Sequence, residues 1–251
     1  HLFQPLLYQV ATAALAAPDI AAPIRKILRD SNNTTVLMDE VQEVDPVAKQ
    51  VVTINHRLAY DYLIIAAGMT NHYFGNAEKW EPVATGLKTM DDALTIRRKV
   101  LLAYEAAELE TDQQRQREWL TFVVIGAGPT GVEMAGALRE IAGRTLARNF
   151  RNFDAQSAQV YLIEGQDHVL GGMPSPKLRR SALEQLKELG VEVRLNTMVK
   201  EIRGDRITTS DGEEIRTRTV VWAAGVKAES LADRMGVEQD RMGRIVVGPH
   251  L

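Results

Sequence analysis

The sequence predicts an α/β fold, with a parallel sheet whose strands alternate with helices. Three observations predict it. Residues 120–225 alternate between short β-branched segments and amphipathic segments of helical periodicity. A glycine-rich turn joins one of these strands directly to the next helix, and two apolar strands end in the same Ala-Ala-Gly sequence, at 66–68 and 223–225. Strands and helices that alternate in this order form parallel sheets with helical crossovers.

The composition excludes several kinds of functional site. The 251 residues suffice for one large domain or two modest ones, and 45% of them are hydrophobic. The chain has no cysteine, which excludes disulfides, thiolate metal sites and a redox-active cysteine pair. A net charge of −3 does not provide the basic surface that nucleic acid requires. No apolar run reaches the roughly 18 residues of a membrane-spanning helix, so we expect a soluble chain.

The first part of the chain contains both helical and strand patterns. Residues 1–30 are predicted to be helical. Short β-branched segments separated by turns follow over 35–55, and a continuous apolar run at 60–68 predicts a strand that is buried on both faces. We expect a loop at 69–86 and one long amphipathic helix over 89–118.

The second part of the chain has the stronger patterns. Gly190 follows a helical segment directly, in the position that commonly ends a helix. The predicted elements are strands at 120–125, 159–163, 191–195 and 219–225, helices at 130–149 and 177–189, and a β-meander at 199–217.

The two Ala-Ala-Gly strands are each preceded by a similar segment. A β-meander pattern at 35–55 comes before the first, and the meander at 199–217 comes before the second. The repeated order indicates an internal duplication, and so two related nucleotide-binding domains. Chance similarity between two apolar strands is the alternative interpretation.

The glycine-rich turn, Gly126-Ala-Gly-Pro-Thr-Gly131, is the strongest motif. It has the G-x-G-x-x-G pattern, directly after a β-branched strand and directly before a helix, which is the context a dinucleotide site requires. Gly126 allows the tight turn, Gly128 lets a pyrophosphate approach the backbone, and Gly131 lets the helix pack closely. The free N–H groups at the helix N-terminus would bind the phosphates. The motif predicts a Rossmann-like domain.

An acidic residue at the end of the second strand of such a domain binds the adenosine ribose. Glu164 occupies that place, although it lies 38 residues after Gly126, beyond the usual spacing of about 20. The extra length falls in the intervening helix and in residues 144–154. No arginine follows within 165–167 to bind a 2′-phosphate, which favours NADH over NADPH. An ordinary exposed glutamate at a strand end is the alternative.

Three segments together resemble a known family. Residues 1–12, 122–136 and 220–226 closely resemble type II NADH dehydrogenases, single-subunit NADH:quinone oxidoreductases of the two-dinucleotide-binding-domain flavoprotein superfamily. The resemblance covers essentially the whole chain. It implies that hydride passes from NADH to FAD and that electrons continue to a membrane quinone.

The resemblance also implies a role for particular residues. Glu133 would lie near the nicotinamide and the flavin, although a glutamate in the first turns of a helix is also favoured by the helix dipole. NADH would contact Gly126, Gly128, Pro129, Thr130, Gly131 and Glu164, with Ala224 and Gly225 on the nicotinamide side, and FAD would contact Gln4, Gln9, Val41, Ala67 and Gly68.

Two features of the family pattern are absent. There is no N-terminal glycine fingerprint for FAD, and the chain ends at Leu251, before the family's Gly-Asp flavin motif, quinone site and membrane-anchoring helices. The chain is therefore expected to be an internal fragment, with a partial FAD-binding domain at 1–86, the NADH-binding domain at 87–227 and a return into the FAD-binding domain at 228–251. FAD binding, quinone reduction, a cytoplasmic location on the inner membrane and homodimer formation are then expected of the full-length protein.

Other functions fit parts of the pattern. Disulfide reductases and sulfide:quinone oxidoreductases need cysteines, which are absent, whereas a ferredoxin or rubredoxin reductase does not. A non-catalytic NAD(H)-binding module is the alternative from a different class. No metal site is predicted, because the five histidines, His1, His56, His72, His168 and His250, show no ligand spacing.

Overall fold

The computed structural model describes residues 2–249, so that His1 and His250 lie outside the described residues. The chain forms two compact units. The larger unit comprises Leu2–Ala21 and Tyr73–Gly225, and the smaller unit comprises 22–72 and 226–249. The short segment 2–21, which was predicted to belong to the partial FAD-binding domain, packs with the larger unit.

Most of the helices belong to the larger unit, and α3 belongs to the smaller one. The α-helices of residues 2–249 are α1 (Leu7–Ala11), α2 (Ala17–Ile20), α3 (Ile24–Ile27), α4 (Ala77–Trp80), α5 (Met90–Leu109), α6 (Gln113–Trp119), α7 (Pro129–Glu140) and α8 (Pro176–Glu188). The remaining helical turns are 3₁₀ turns at Gln4–Leu6, Ala155–Ser157 and Ala232–Arg234 and a π-helical turn at Ile141–Thr145.

The strands form four sheets within the described part of the chain. They are β1 (Val41–Asp45), β2 (Gln50–Thr53), β3 (Arg57–Ala59), β4 (Met69–Asn71), β5 (Ala84–Gly86), β6 (Thr121–Ile125), β7 (Gln159–Ile163), β8 (Val191–Arg194), β9 (Val199–Ile202), β10 (Arg206–Thr209), β11 (Glu214–Arg216), β12 (Thr219–Trp222) and β13 (Val226–Ala228).

A five-stranded parallel sheet organises the larger unit, which confirms the predicted α/β class. Its strand order is β5-β12-β6-β7-β8, and every neighbouring pair runs parallel. All five residues of the central strand β6 are buried. A strand that is covered on both faces needs apolar residues at every position, which explains the unbroken Phe-Val-Val-Ile run of this strand.

Alternate residues of β6 face two different apolar clusters. Phe122 and Val124 belong to the cluster that α1, α5 and α7 build on one face of the sheet. Val123 and Ile125 belong to a second cluster on the other face, together with Trp222. Isoleucines of the antiparallel meander β9-β10-β11 complete this second cluster. Because successive side chains of a strand point to opposite faces, the helices pack on one face of the sheet and the meander packs on the other.

The predicted single helix over 89–118 is wrong, since two helices occupy this span. Thr89 and Asp92 form a capping box that starts α5, and Glu110 then adopts an extended backbone after Leu109. The Glu110 carboxylate accepts hydrogen bonds from the next two backbone N–H groups, and Asp112 caps α6. These short-range hydrogen bonds compete with helix continuation, which hydrophobic periodicity does not reveal.

The predicted helix over 130–149 also ends early, at Glu140. A π-helical turn follows, and the chain then crosses α5 before it reaches β7. Phe150 and Phe153 stack on Tyr104 of α5, at ring-centroid distances of 5.8 and 6.3 Å. Glu108 accepts hydrogen bonds from the backbone N–H groups of Arg151 and Asn152. This packed insertion accounts for the long spacing between the fingerprint and Glu164.

Two predictions for the first part of the chain need correction. Within 2–30 the predicted helical structure is divided into several short helices, because Ala13 takes a left-handed conformation with φ of 61° and two prolines follow. The predicted loop at 69–86 contains β4, α4 and β5. Strand β5 has no apolar run, and it forms because it pairs with β12 at the edge of the parallel sheet.

The smaller unit contains the antiparallel meander β1-β2-β3 and the antiparallel pair β4-β13. Its meander matches the strand order of β9-β10-β11, as the predicted duplication requires. The predicted buried strand at 60–68 is not formed, and Tyr62 and Ile64 are 94% and 90% exposed. A strand is stabilised by a paired neighbour, and no strand among residues 2–249 pairs with this segment.

Two buried tyrosines provide a test of the core of the larger unit. Burial raises the pKa of both phenols, so both hydroxyls stay protonated. The Tyr73 hydroxyl donates to the Ala84 carbonyl at 2.9 Å, whereas the Tyr104 hydroxyl has no hydrogen-bond partner among residues 2–249. We expect Tyr104→Phe to leave the free energy of unfolding unchanged or raise it, and Tyr73→Phe to lower it by about 1 kcal/mol. Denaturant unfolding measures both, and an equal loss in the two variants would contradict this.

Candidate functional site

The carboxyl ends of the parallel strands bring the motif residues together. The Gly126 N–H donates to the Ile163 carbonyl at 2.7 Å, and the Ala223 N–H donates to the Ile125 carbonyl at 2.7 Å. These bonds tie the ends of β6, β7 and β12 to one another. The fingerprint, Glu164 and the second Ala-Ala-Gly sequence therefore lie at one edge of the sheet, where ligands of open α/β sheets bind.

Two fingerprint glycines are required by close packing. Gly126 has a φ of 97°, and a Cβ there would lie 2.5 Å from the Ala224 Cα atom. A Cβ on Gly131 would overlap the carbonyl oxygen of Gly126. Ala224 therefore belongs to the wall of the fingerprint turn, and Gly225 follows it directly in the chain. The small residues at the end of β12 and the glycines of the turn fit each other.

Gly128 has a different role, because a Cβ there would meet nothing within 4 Å. Gly128 is the N-cap residue of α7, Pro129 is the first helical residue, and no side chain of residues 2–249 caps this N-terminus. Pro129 is exposed and Thr130 is half-buried, so the start of this helix borders open space. An uncapped N-terminus of a 12-residue helix beside an exposed backbone can bind a phosphate group.

Glu164 contacts the fingerprint directly. One carboxylate oxygen accepts the Ala127 N–H at 2.7 Å, and the other accepts the Gln166 N–H at 2.9 Å. Each oxygen keeps a second lone pair for a further donor, such as a ribose hydroxyl. The sequence predicted the position of Glu164 at the strand end. It gave no sign of the bond to Ala127, which joins residues 37 positions apart.

Glu133 lies at the rim of two cavities in the larger unit. One cavity has a volume of about 400 Å³ and lies between α7 and α8. The other has a volume of about 260 Å³ and is lined by Thr130 and by residues from the start of the chain. The Glu133 side chain is exposed, yet partial desolvation raises the pKa of its carboxyl group. This carboxyl group therefore takes up a proton more readily than an ordinary glutamate.

The two glutamines predicted to contact flavin lie in the larger unit. Gln4 lines the smaller cavity and donates to the Lys88 carbonyl at 3.2 Å. The Gln9 amide donates to the Tyr8 hydroxyl at 3.0 Å. Tyr8 and Lys88 both line this smaller cavity, as Glu133 does. Burial lowers the pKa of the Lys88 amino group. Neither residue was predicted from the sequence. Tyr8 lies inside the motif at 1–12, whereas no local sequence pattern marks Lys88.

The other residues predicted to contact FAD belong to the smaller unit. Val41 begins β1, where it pairs with Thr53 of β2. Ala67 and Gly68 are exposed, and Gly68 has a φ of 79°. Their contacts with a flavin stay predictions.

Comparison with known proteins identifies the family. The sequence matches the pyridine nucleotide-disulphide oxidoreductase family over residues 1–251. The chain belongs to this family. Among solved structures, NDH2 from Plasmodium falciparum in complex with NADH resembles the chain with a TM-score of 0.83 at 24% identity. That likeness covers 93% of this chain and 50% of the other, and it shows the fold.

Sequence relatives within the family narrow the resemblance. The type II NADH:quinone oxidoreductase NdhA of Mycobacterium tuberculosis is 45% identical over 264 residues, and Ndh of the same organism is 43% identical over 263 residues. The predicted resemblance to type II NADH dehydrogenases is confirmed. Both alignments cover the whole of this chain and 56% of the relative, so the chain spans little more than half the length of either.

Two further observations concern residues 2–249. No helix in this range is both long enough and apolar enough to cross a membrane. No group of three or more His, Asp or Glu side chains in the same range is placed to hold a metal ion.

Two glycines of α7 offer a matched test of the packing at the sheet edge. In Gly131→Ala the new methyl group would overlap a backbone carbonyl, and we expect the free energy of unfolding to fall by about 2–3 kcal/mol. In Gly136→Ala the methyl group would lie 3.8 Å from Leu189, an ordinary contact. The better helix propensity of alanine should then stabilise the protein by up to about 1 kcal/mol.

Thermal and denaturant unfolding distinguish the two variants. A Gly136→Ala variant as unstable as Gly131→Ala would contradict the conclusion that only Gly131 of this pair is required by close packing.

Proposed function

We propose that these residues belong to a type II NADH:quinone oxidoreductase, which transfers hydride from NADH to FAD and passes the electrons to a quinone. The observation that carries the proposal is the 45% and 43% identity to two such enzymes across the whole chain. The geometry of the larger unit supports it, because an open backbone cradle, an uncapped helix N-terminus and a carboxylate lie at one sheet edge.

The larger unit would bind NADH. In this proposal Gly128, Pro129 and Thr130 border the pyrophosphate, while Gly126 and Gly131 keep the turn compact. Glu164 accepts hydrogen bonds from the ribose hydroxyls through its spare lone pairs. Ala224 and Gly225 line the nicotinamide side, where these two small residues leave room for a ring.

FAD, when bound, would supply a two-electron acceptor for the hydride. Gln4, Gln9, Val41, Ala67 and Gly68 are the residues proposed to hold it. Gln4 and Gln9 keep their amide groups oriented through hydrogen bonds to Lys88 and Tyr8. Glu133, at the rim of the same cavity as Gln4, would place a carboxyl group beside the reacting atoms. The protein contributes orientation and local charge.

Three further features complete the proposal for the full-length protein. Quinone is reduced at a membrane surface. The protein is located in the cytoplasm on the inner membrane, and it assembles as a homodimer. The resemblance to type II NADH dehydrogenases supports these features.

Two other functions remain distinguishable by experiment. A ferredoxin reductase would pass electrons to an iron–sulfur protein instead of a quinone, and the sequence relatives above favour quinone. A non-catalytic NAD(H)-binding module would bind NADH without reducing a flavin. Bleaching of flavin absorbance by NADH in the full-length protein, followed by reoxidation with a soluble quinone, would separate all three.

Glu133 offers a test of the reaction centre. In the full-length protein, Glu133→Gln removes a titratable charge beside the proposed hydride path while keeping the side-chain shape. We expect a change in the barrier to flavin reduction of about 1–3 kcal/mol, measured by stopped-flow absorbance. Because desolvation raises the pKa of Glu133, the acid limb of the wild-type pH profile should lie above the ordinary glutamate range and should disappear in the variant.

A second glutamate on α7 is the control for that experiment. Glu140 lines only the larger cavity and forms an ion pair with Arg144 at 3.1 Å. Glu140→Gln should leave flavin reduction unchanged. If the rates and pH profiles of wild type and Glu133→Gln are equal, Glu133 has no part in the reaction, and its place in the helix is explained by the helix dipole alone.

Glu164 offers a test of cofactor preference. Its carboxylate would repel the 2′-phosphate of NADPH in a partly desolvated site, so kcat/KM should favour NADH by about a hundredfold or more. Glu164→Gln should narrow this preference, mainly by improving the use of NADPH. One of its two backbone hydrogen bonds would be lost as well, which should lower the free energy of unfolding by about 1–3 kcal/mol.

Asp167 supplies the matched control, since it lies in the same turn and its side chain is 78% exposed. Asp167→Asn removes one negative charge from this turn and should change the NADH to NADPH ratio much less. A wild-type ratio near one, or a ratio that stays constant in Glu164→Gln, would show that Glu164 does not bind the ribose.

A further inference from the structure

The loop after β8 places a large apolar side chain beside Glu164. Met198 is 60% exposed, although methionine is mostly found in protein interiors. Its sulfur atom lies over Gly165, because a Cβ added to Gly165 would collide with the Met198 Sδ atom. Met198 and Gly165 therefore form one apolar surface at the carboxyl edge of the sheet, next to the residue proposed to bind ribose.

Backbone hydrogen bonds hold this surface in place. The Thr197 N–H donates to the Glu164 carbonyl at 2.9 Å, and the Asn196 N–H donates to the Gln166 carbonyl at 2.8 Å. The Met198 N–H donates to the Ser210 hydroxyl at 3.4 Å. The loop that carries Met198 is thus tied to the chain on both sides of Gly165. These bonds therefore hold the Met198 backbone beside the chain at Glu164 and Gln166.

We propose that Met198 and Gly165 form the platform on which the adenine ring of the dinucleotide stacks. The inference rests on the proposed NADH site and adds a residue to it. A ribose bound by Glu164 carries its adenine on the neighbouring carbon, so the ring must lie beside the strand end. A polarizable thioether makes favourable contacts with an aromatic ring, and the bare Gly165 backbone lets the ring approach. Met198 contacts no 2′-substituent, so it contributes equally to NADH and NADPH binding.

The test separates the two halves of the dinucleotide in the full-length protein. Met198→Gln keeps the length of the side chain and makes it polar. We expect it to weaken binding of NADH and of AMP by about fivefold to tenfold, because a polar amide that the adenine ring covers loses its water without gaining a hydrogen-bond partner. Binding of reduced nicotinamide mononucleotide should stay unchanged, and so should the NADH to NADPH ratio. Met198→Leu, which keeps an apolar surface, should retain most of the affinity.

Two more variants keep the inference falsifiable. Gly165→Ala forces the end of the Met198 side chain aside without a backbone collision, and it should weaken AMP binding in the same direction. Leu109→Gln replaces another apolar residue, which lies at the end of α5 and is 83% exposed. This variant should bind both AMP and reduced nicotinamide mononucleotide as the wild-type protein does. Thermal unfolding verifies that each variant folds.

The possible failures are distinguishable. If the wild-type protein binds NADH and AMP but Met198→Gln binds AMP equally well, the platform is wrong and the proposed function stands. If Met198→Gln weakens nicotinamide mononucleotide as much as AMP, the effect is not local to adenine and the platform is also wrong. If the wild-type protein binds neither NADH nor AMP, the proposed function itself fails.

Discussion

The close approach of backbone atoms at the carboxyl edge of the parallel sheet is the constraint on which the larger unit depends. Gly126 meets the end of β12 at Ala224, and Gly131 meets the carbonyl of Gly126. Because no side chain fits between them, α7 begins directly against the sheet and its N-terminus borders open space. The same contacts fix the ends of three strands, and therefore the places of Glu164 and Ala224 relative to the turn.

Predictions from the sequence succeeded where a short segment carries its own pattern. Strands β6, β7 and β12 and the start of α7 follow from apolar runs and from a glycine motif. The predictions failed where hydrogen bonding to a neighbouring strand decides whether a segment is a strand. Strand β5 has the sequence Ala-Thr-Gly and is a strand because β12 lies beside it, whereas the strongly apolar residues 60–68 have no paired neighbour in the described chain. Apolar character alone therefore did not identify the strands.

The residues of the candidate site also fall into those that a local motif marks and those that it does not. The glycines, Glu133 and Glu164 were found because the fingerprint and the strand end mark their positions. Lys88 and Met198 were not predicted, because each lies beside the candidate residues through contacts between distant parts of the chain. Lys88 meets Gln4 across 84 positions, and Met198 meets Gly165 across the loop after β8. Sequence patterns record local regularity, and they contain no direct sign of such contacts.

The bond between Glu164 and Ala127 has a consequence for how cofactor preference could evolve. The carboxylate is ordered by the fold before any ligand arrives, so binding does not have to freeze its rotamers, a cost of about 0.5–1.5 kcal/mol. The residue that would discriminate between cofactors is therefore also a structural member of the phosphate-facing turn. A substitution of Glu164 alone would therefore change both the selectivity between NADH and NADPH and the rigidity of the fingerprint turn. A descendant with a different residue here would have to rebuild the turn around a new partner for Ala127, so a change of the proposed preference would require more than one substitution.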